Sequence, residues 1–307
     1  MESGEMRQRL SLKEKIKNHY QMNPPKFAPE PKEANKVGVT YFTCMLLSLA
    51  IEGIFILIPS NFRGEFYSII IFEVLAIFVF METCANWYRT WYDVANYVRK
   101  TTKEKYFSGD SAPEGWKQCF TCQLDAPPRS HHCTLCNKCM MKRDHHCYFT
   151  ASCIGFQNQK YFIVFCFYTV CGCALALYLQ LTFLSEIFPL NTTAAIHYFP
   201  VMPIWDWMTG VISFPLLVLM IHMYMTLTCL VATGMFATWQ MLMIICGKTS
   251  YEAKRNISTY NQGTLDNLRS VFGPLRFCAV LLLAPISLPQ LGDGIQWKIN
   301  PKCQKRS

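Results

Sequence analysis

Residues 119–153 constrain this chain most, because seven of its sixteen cysteines and four of its seven histidines lie there. Two pairs, Cys119 with Cys122 and Cys133 with Cys136, are each separated by two residues. That spacing lets a tight turn bring both sulfurs to one Zn²⁺ ion, at about 2.3 Å from the metal. Further candidate ligands in this stretch are His131, His132, Cys139, His145, His146, Cys147 and Cys153.

A subset of these residues has the right number for two closed zinc sites. Tetrahedral zinc takes four ligands, so two ions need eight. The six cysteines other than Cys147, together with two histidines, supply that number. A disulfide framework is the alternative interpretation, and it fails if the stretch lies in the reducing cytosol. We therefore predict two structural zinc ions.

Cys147 is the cysteine left over, and it follows Asp144, His145 and His146 in the sequence. The thiolate is the reactive form of cysteine, and a neighbouring imidazole lowers the pKa of the thiol. A carboxylate can in turn fix the tautomer of that histidine. The alternative is that Cys147 is one more zinc ligand. The ligand count favours a free thiol, since Cys153 can complete the second site, but chemistry alone leaves both roles open.

The composition indicates a membrane protein. Hydrophobic residues make up 51% of the chain and charged residues only 16%, against about 25% charged residues in soluble domains. The net charge of +9 could suit nucleic acid. However, the basic residues flank apolar spans, which instead favours anchoring to anionic lipid headgroups. We expect the lipid bilayer as a partner, and no nucleic acid.

Four apolar stretches suit a bilayer core about 30 Å thick; they are residues 37–58, 66–81, 161–184 and one span within 209–247. We predict an all-α polytopic membrane protein with four transmembrane helices and a cytosolic, Cys-rich domain with two zinc ions between helices two and three. The predicted domains are a cytosolic arm (1–36), helices one and two (37–88), the Cys-rich domain (89–160), helices three and four with a short lumenal loop (161–247) and a cytosolic tail (248–307).

Basic residues predict the orientation. Residues 1–36 contain eight Lys or Arg, residues 89–160 eleven and residues 248–307 nine, whereas residues 189–209 contain none. By the positive-inside rule both termini and the Cys-rich loop are cytosolic. A further apolar patch at 277–291 is interrupted by two prolines, and we predict that it packs against the protein rather than crossing the membrane.

Four ionisable residues lie inside or near the apolar stretches: Glu52, Glu73, Glu82 and His222. Such groups inside a membrane need a polar partner. We predict an interhelical hydrogen bond for Glu73. Glu52 and Glu82 lie near the ends of their spans, so we expect them to reach the headgroups.

The Asp-His-His-Cys motif at 144–147 within a Cys-rich domain resembles the DHHC protein S-acyltransferases (palmitoyltransferases). The similarity includes the motifs at 119–122, 128–139 and 153–158, and it covers about residues 37–294. It implies one zinc ion held by Cys119, Cys122, His132 and Cys139, and a second held by Cys133, Cys136, His146 and Cys153. It also implies that Cys147 accepts the acyl group, His145 is its base and Asp144 orients His145.

Three nearby basic residues, Arg129, Lys142 and Arg143, are candidates to bind the phosphates of an acyl-CoA co-substrate, with solvated surface charges as the alternative. In the tail, 249–252 is similar to the family's Thr-Thr-x-Glu motif with Ser250 in second place. We expect Thr249, Glu252 and Asn267 to be structural residues, with Glu252 and Asn267 tying the tail to the catalytic domain.

The sequence departs from the family after the motif, where the usual run is Pro-Trp-Val-Asn-Asn and residues 148–152 are Tyr, Phe, Thr, Ala and Ser. The family's Asp-Pro-Gly motif after the second span is also absent. These differences leave the rate and the substrate preference open, and they motivate the competing hypothesis of an inactive zinc-bearing membrane scaffold.

The resemblance implies an enzyme that moves a long-chain acyl group, most commonly palmitoyl, from acyl-CoA to Cys147 and then to a cysteine of a substrate protein. Substrate proteins with membrane-proximal cysteines are the expected partners, and an accessory subunit or a homo-oligomer is compatible with the pattern. The family implies an endomembrane location, ER or Golgi. The sequence does not specify the substrates or the preferred acyl-chain length.

Overall fold

Four long apolar helices are the largest elements of the computed structural model, which describes residues 31–92, 97–99, 102, 113–274, 278–284, 286 and 290–300. By length and composition each can cross a membrane; they are Lys32–Asn61, Phe66–Tyr92, Gln159–Ile187 and Phe214–Ile245. The Cys-rich region lies between the second and third. The predicted fold class is therefore confirmed, while residues 1–30 of the predicted arm lie outside the described residues.

The first two membrane helices are longer than predicted. The first consists of α1 (Pro31–Glu52), a π-helical turn (Gly53–Leu57) and α2 (Ile58–Asn61), so it begins before residue 37. Proline is tolerated in the first turn of a helix, where its missing N–H has no helical partner, and Pro31 can therefore open α1. The second helix, α3 (Phe66–Tyr92), continues well past residue 81.

The third membrane helix is the central one. It is α4 (Gln159–Ile187), and a 3-10 helix (Thr193–Tyr198), α5 (Met202–Met208) and α6 (Phe214–Ile245) follow it. Half of the apolar stretch of α4 is buried, against 22% or less in the other three helices. This burial arises because α4 packs against both α3 and α6.

In the described part of the tail, three short helices follow the last membrane helix: α7 (Ser250–Lys254), α8 (Thr264–Phe272) and α9 (Cys278–Leu283). The last of these lies in the predicted apolar patch and packs on α4. The hydroxyl of Tyr168 donates to the carbonyl oxygen of Leu282, and that of Tyr161 donates to Ile286 at 3.1 Å. Leu281 is buried in the core that these tyrosines help to form. This segment therefore lies against the bundle.

Three β-hairpins organise the Cys-rich region. They pair β1 (Lys117–Cys119) with β2 (Leu124–Ala126), β3 (His131–Cys133) with β4 (Lys138–Met140), and β5 (His145–Cys147) with β6 (Ser152–Ile154), all antiparallel. Four residues connect the two strands of each hairpin, and the last of the four has a left-handed backbone: Gln123 (φ 50°), Asn137 (φ 50°) and Ala151 (φ 48°). In each hairpin a cysteine ends the first strand, so one turn geometry occurs three times. Strands this short carry no alternating pattern, and the sequence did not predict them.

Glu52 is held inside the helix bundle, so the prediction that it reaches the headgroups was wrong. Its carboxylate contacts Nδ1 of His222 on α6 and accepts a 2.7 Å hydrogen bond from Gln180 on α4. Glu82 on α3 is also buried and accepts from Asn86 at 3.0 Å. Glu73 is only partly buried. Among the described residues the polar link between helices therefore involves Glu52, and the hydrogen bond predicted for Glu73 is not found there.

Candidate active site and metal centres

The first Cys/His cluster contains four residues whose ligand atoms all lie within 4.8 Å of one another: Cys119, Cys122, His132 and Cys139. The sulfur of Cys122 lies 3.2 Å from Nδ1 of His132. The amide of Cys122 donates to the sulfur of Cys119 at 3.4 Å. Ligands at about 2.3 Å from a tetrahedral zinc ion would lie about 3.8 Å apart or slightly less, so this donor set fits zinc.

The second cluster has the same arrangement, and its members are Cys133, Cys136, His146 and Cys153. Nδ1 of His146 lies 3.3 Å from the sulfur of Cys136 and 3.6 Å from each of the other two sulfurs. The other ring nitrogen, Nε2, is 2.9 Å from the side-chain oxygen of Asn35 on α1. Such an outer partner fixes the ring and tautomer of a metal-binding histidine. The first membrane helix therefore supports the second metal site.

The two clusters share one hairpin. In β3–β4, His132 and Cys139 belong to the first cluster, while Cys133 belongs to the second. Successive side chains of a strand point to opposite faces, so neighbouring ligands are directed to different sites. His131 belongs to neither cluster and packs on the ring of Tyr251.

Asp144 precedes the third hairpin, and His145 and Cys147 begin and end its first strand, two positions apart and therefore on one face. Nδ1 of His145 lies 2.8 Å from Oδ2 of Asp144. Its Nε2 is buried and has no hydrogen-bond partner in the described part of the chain. Cys147 as a whole residue is only 7% exposed, and its thiol interacts with His145. Catalytic hydrogen bonds often shorten only when substrate binds, so His145 is positioned to exchange a proton with Cys147.

Two residues that the sequence did not assign to the site hold Asp144 in place. Its Oδ1 accepts from the amide of Ser250 at 2.6 Å, and its Oδ2 accepts from the Ser250 hydroxyl and from Gln240, both at 2.9 Å. Gln240 lies near the end of α6, and Ser250 begins α7. Two features of the sequence could have indicated these contacts: Gln240 is the only glutamine in the apolar helix α6, and Ser250 places a hydroxyl directly after Thr249.

The electrostatics favour a charged pair. Burial lowers the pKa of His145, but its interactions with Asp144 and Cys147 outweigh burial and raise that pKa to about 9. Burial raises the pKa of Cys147, but its interactions with His145 and Thr150 outweigh burial and lower that pKa below the ordinary value of a thiol. Both pKa shifts act toward a thiolate beside a protonated imidazole, which is the nucleophilic form.

An apolar cavity of about 560 Å³ extends from this site into the helix bundle. His145 and Cys147 line it, together with apolar side chains of the four membrane helices. On α4 the lining runs from Phe162 to Leu179. At 1.5 Å per residue that distance is about 25 Å, so the cavity is long, narrow and apolar.

Arg129 is buried, which argues against its predicted role in phosphate binding. Its guanidinium pairs with both carboxylate oxygens of Glu252 at 2.8 Å, and the two side chains are only 4% and 5% exposed. It also donates to the carbonyl oxygen of Gly247 at 3.0 Å and lies over the rings of Tyr260 and Trp297. Arg129 therefore links the Cys-rich region to the tail.

The other two predicted phosphate ligands also face protein groups. Lys142 is buried and donates to Gln159 at 2.9 Å. Burial, with Arg129 nearby, lowers the pKa of Lys142 to about 7. Arg143 is partly buried and interacts with the sulfurs of Cys133 and Cys153. Lys142 therefore contacts protein groups, and Arg143 lies beside the second cluster; neither contact supports the predicted phosphate-binding role.

Thr249, Glu252 and Asn267, which were predicted to be structural, make contacts at two different places: the start of α7 and the end of α6. Thr249 and Glu252 form a reciprocal capping box at the start of α7, and Glu252 also pairs with Arg129. Asn267 instead donates to the carbonyl oxygen of Ile245, at the end of α6, at 2.8 Å. Glu252 is therefore the one whose ion pair joins the tail to the Cys-rich region among the described residues.

Replacing Arg129 by methionine is expected to lower the free energy of unfolding by about 3–5 kcal/mol, because it leaves the carboxylate of Glu252 buried without its cation. The measurement is thermal unfolding in detergent, followed by tryptophan fluorescence. Arg269→Met is the matched control, since its ion pair with Asp266 is exposed and such pairs contribute about 1 kcal/mol or less. Equal effects of the two substitutions would contradict this account.

Comparison with known proteins gives a consistent result. The family described as DHHC palmitoyltransferase matches residues 112–257. Probable palmitoyltransferase ZDHHC24 of Danio rerio is 31% identical over 206 residues, which are 66% of this chain and 68% of that protein. Palmitoyltransferase ZDHHC22 of Mus musculus is 25% identical over 247 residues, 78% of this chain and 88% of that protein. Human ZDHHC22 is 23% identical over 248 residues, with the same coverage of both chains.

Proposed function

Since this chain belongs to the DHHC palmitoyltransferase family, it is a protein S-palmitoyltransferase, and we propose that it works through an acyl-enzyme on Cys147. Acyl-CoA is the donor and a cysteine of a substrate protein is the acceptor. The observation that carries this proposal is a buried thiol paired with His145 at the end of a long apolar cavity.

In the first step His145 holds the proton of Cys147, and the thiolate attacks the carbonyl carbon of the acyl-CoA thioester. The bond from that carbon to the CoA sulfur breaks, and the CoA thiolate leaves with the proton from His145. Asp144 keeps Nδ1 of His145 protonated, so Nε2 is the nitrogen that exchanges the proton. Four hydrogen bonds to Asp144 support this orientation.

In the second step a substrate cysteine gives its proton to His145 and attacks the acyl group on Cys147. The Cys147 thiolate leaves and pairs again with the imidazolium of His145. One thioester replaces another in each step, so the sequence is close to isoenergetic. A low thiol pKa at Cys147 suits both steps, because the sulfur is the nucleophile first and the leaving group afterwards.

The cavity supports a long acyl chain as the transferred group. It is lined by Phe42, Phe162 and Phe165 close to Cys147, and by Gly53, Ala176 and Leu179 on the same helices. An acyl chain in this space would be removed from water, which is favourable in proportion to the apolar area buried. CoA would remain outside, on the side of the Cys-rich region.

Zinc is proposed for both clusters, because each offers four N or S donors at mutual distances that suit a tetrahedral ion. When bound, the metal would supply a structural cross-link, since four protein ligands leave no open position for a water or substrate. Cys147 lies between His146 and Cys153 in the sequence. Both of those residues belong to the second cluster, and since His146 lies in β5 and Cys153 in β6, the metal would fix both strands of the hairpin that carries the nucleophile.

The excess of Lys and Arg on three segments supports a membrane orientation with both termini and the Cys-rich region in the cytosol. Residues 1–36 and 248–307 would be the cytosolic arm and tail, and 89–160 the catalytic domain. Substrates would present cysteines close to the membrane surface, because the Cys-rich region joins membrane helices at both of its ends. The endomembrane system is the proposed location.

Labelling of the purified wild type tests the proposal. After incubation with alkyne-tagged palmitoyl-CoA, we expect a label that neutral hydroxylamine removes and that mass spectrometry assigns to Cys147. Added thiol peptide should accept the label. A folded protein with about two zinc ions per chain and no hydroxylamine-sensitive label would instead favour an inactive membrane scaffold.

A further inference from the structure

The third hairpin repeats the geometry of the two zinc-binding hairpins but lacks their second cysteine. Cys119 and Cys122 span the first turn, and Cys133 and Cys136 span the second. In the third turn the equivalent positions are Cys147 and Thr150. The residue that follows has a left-handed backbone in all three cases, with φ between 48° and 50°. Thr150 therefore occupies the place of a second metal ligand.

The hydrogen bonds of the three turns also correspond. In the first, the amide of Cys122 donates to the sulfur of Cys119 at 3.4 Å. In the second, the amide of Cys136 interacts with the sulfur of Cys133. In the third, the amide and the hydroxyl of Thr150 both interact with the sulfur of Cys147. The turns of the first two hairpins surround the sulfur of a proposed zinc ligand. The turn of the third hairpin surrounds the Cys147 sulfur in the same way, although Cys147 belongs to neither cluster.

The hydroxyl of Thr150 is enclosed. Thr150 is fully buried and Ser152 is 3% exposed. The Thr150 hydroxyl lies 3.1 Å from that of Ser152 and 3.4 Å from the carbonyl oxygen of Cys147. A hydroxyl rotates to suit its partners. The Thr150 proton is directed at the carbonyl oxygen of Cys147, but 3.4 Å is longer than the usual distance of about 2.5–3.0 Å for a hydroxyl donor. A small rotation that lets Ser152 donate to Thr150 would turn this proton toward the Cys147 sulfur.

We propose that Thr150 is a further catalytic residue, whose hydroxyl donates a hydrogen bond to the Cys147 sulfur whenever that sulfur carries negative charge. This inference rests on the acyl-enzyme mechanism proposed above. In the first step the bond holds the attacking sulfur in position, and in the second it stabilises the departing thiolate. The proton stays on Thr150 throughout, and Ser152 orients the hydroxyl.

Two substitutions separate the hydroxyl from the volume of the side chain. Thr150→Val removes the hydroxyl and keeps the shape, and valine is the residue usual at this place in the family. Thr150→Ser keeps the hydroxyl and removes a methyl group. The rate of acyl-enzyme formation is measured in single turnovers with alkyne-tagged palmitoyl-CoA over a range of concentrations. Zinc content and the thermal midpoint are recorded for every variant.

We expect Thr150→Val to lower the rate at saturating palmitoyl-CoA by about tenfold, which is the scale of one hydrogen bond to a charged group. The concentration for half-maximal rate should stay within about twofold of the wild type, because the hydroxyl acts on the sulfur and not on the acyl chain. Thr150→Ser should stay within about threefold of the wild-type rate. Ser152→Ala, the second variant, should slow the same step by a smaller factor.

A wild-type rate in Thr150→Val would overturn the inference while leaving the acyl-enzyme mechanism intact. Equal slowing in the valine and serine variants would also overturn it, because the methyl group and not the hydroxyl would then matter. The inference would also fail if Thr150→Val changed only the palmitoyl-CoA concentration for half-maximal rate. A wild type that forms no adduct at all would instead overturn both the inference and the proposed function.

Discussion

Replacing Cys147 by alanine is expected to abolish acyl-enzyme formation, with a loss of at least about a thousandfold. Every step of the proposed route forms or breaks a bond to this sulfur, and no other group can substitute for a covalent nucleophile. The readout is the hydroxylamine-sensitive label from alkyne-tagged palmitoyl-CoA. Binding of the acyl chain should survive, because the cavity is lined by side chains of all four membrane helices.

Cys166 provides the matched control for this experiment. It is a second buried thiol that lines the same cavity and packs in the same cluster as Cys147. Cys166→Ala should keep the label within about threefold of the wild type. Loss of label in Cys166→Ala with retention in Cys147→Ala would reverse the assignment of the nucleophile.

Replacing Asp144 by asparagine is expected to slow acyl-enzyme formation by about a thousandfold. The equivalent change in a serine protease triad costs about 10⁴, because the histidine takes the wrong tautomer. Here the effect has a second source. The NH₂ group of the new asparagine side chain would meet the N–H and O–H donors of Gln240 and Ser250, which all point at the present carboxylate. The single-turnover rate is the measurement.

Two observations would separate this effect from misfolding. The zinc content of Asp144→Asn should equal that of the wild type, since Asp144 belongs to neither metal cluster. Ser250→Ala should be slower than the wild type by only about tenfold, because the amide of residue 250 still donates to Asp144. A rate for Asp144→Asn within tenfold of the wild type would contradict the proposed role of this carboxylate.

The parts of this protein that could be predicted from the sequence are those that depend on local spacing. A Cys-x2-Cys pair closes over one turn, so Cys119 with Cys122 and Cys133 with Cys136 could be recognised without knowledge of the fold. The four membrane helices follow from length and hydropathy alone. The helix ends did not follow, because polar residues such as Asn35 continue a helix when they find a partner outside the membrane.

Contacts between distant parts of the chain could not be predicted in the same way. Gln240 and Ser250 contact Asp144 across 96 and 106 residues of sequence. The charge of Arg129 suggested a surface role, yet it is buried because Glu252, 123 residues away, lies opposite it. Whether Glu52 or Glu73 faces the bundle depends on helix rotation, and hydropathy does not report rotation.

The contact between Ser250 and Asp144 also has a consequence for the order in which the enzyme is made. The chain is synthesised from its N-terminus, so Cys147 and His145 emerge long before Ser250, which lies 106 residues after Asp144. At about 5–20 residues per second, the ribosome needs about 5–20 seconds for that distance. During this interval the nascent chain has its reactive thiol but lacks α7, and thus two of the donors that hold Asp144. A chain that ends before residue 250 would therefore lack both Ser250 donors, and with them part of the support of Asp144 that the proposed mechanism requires.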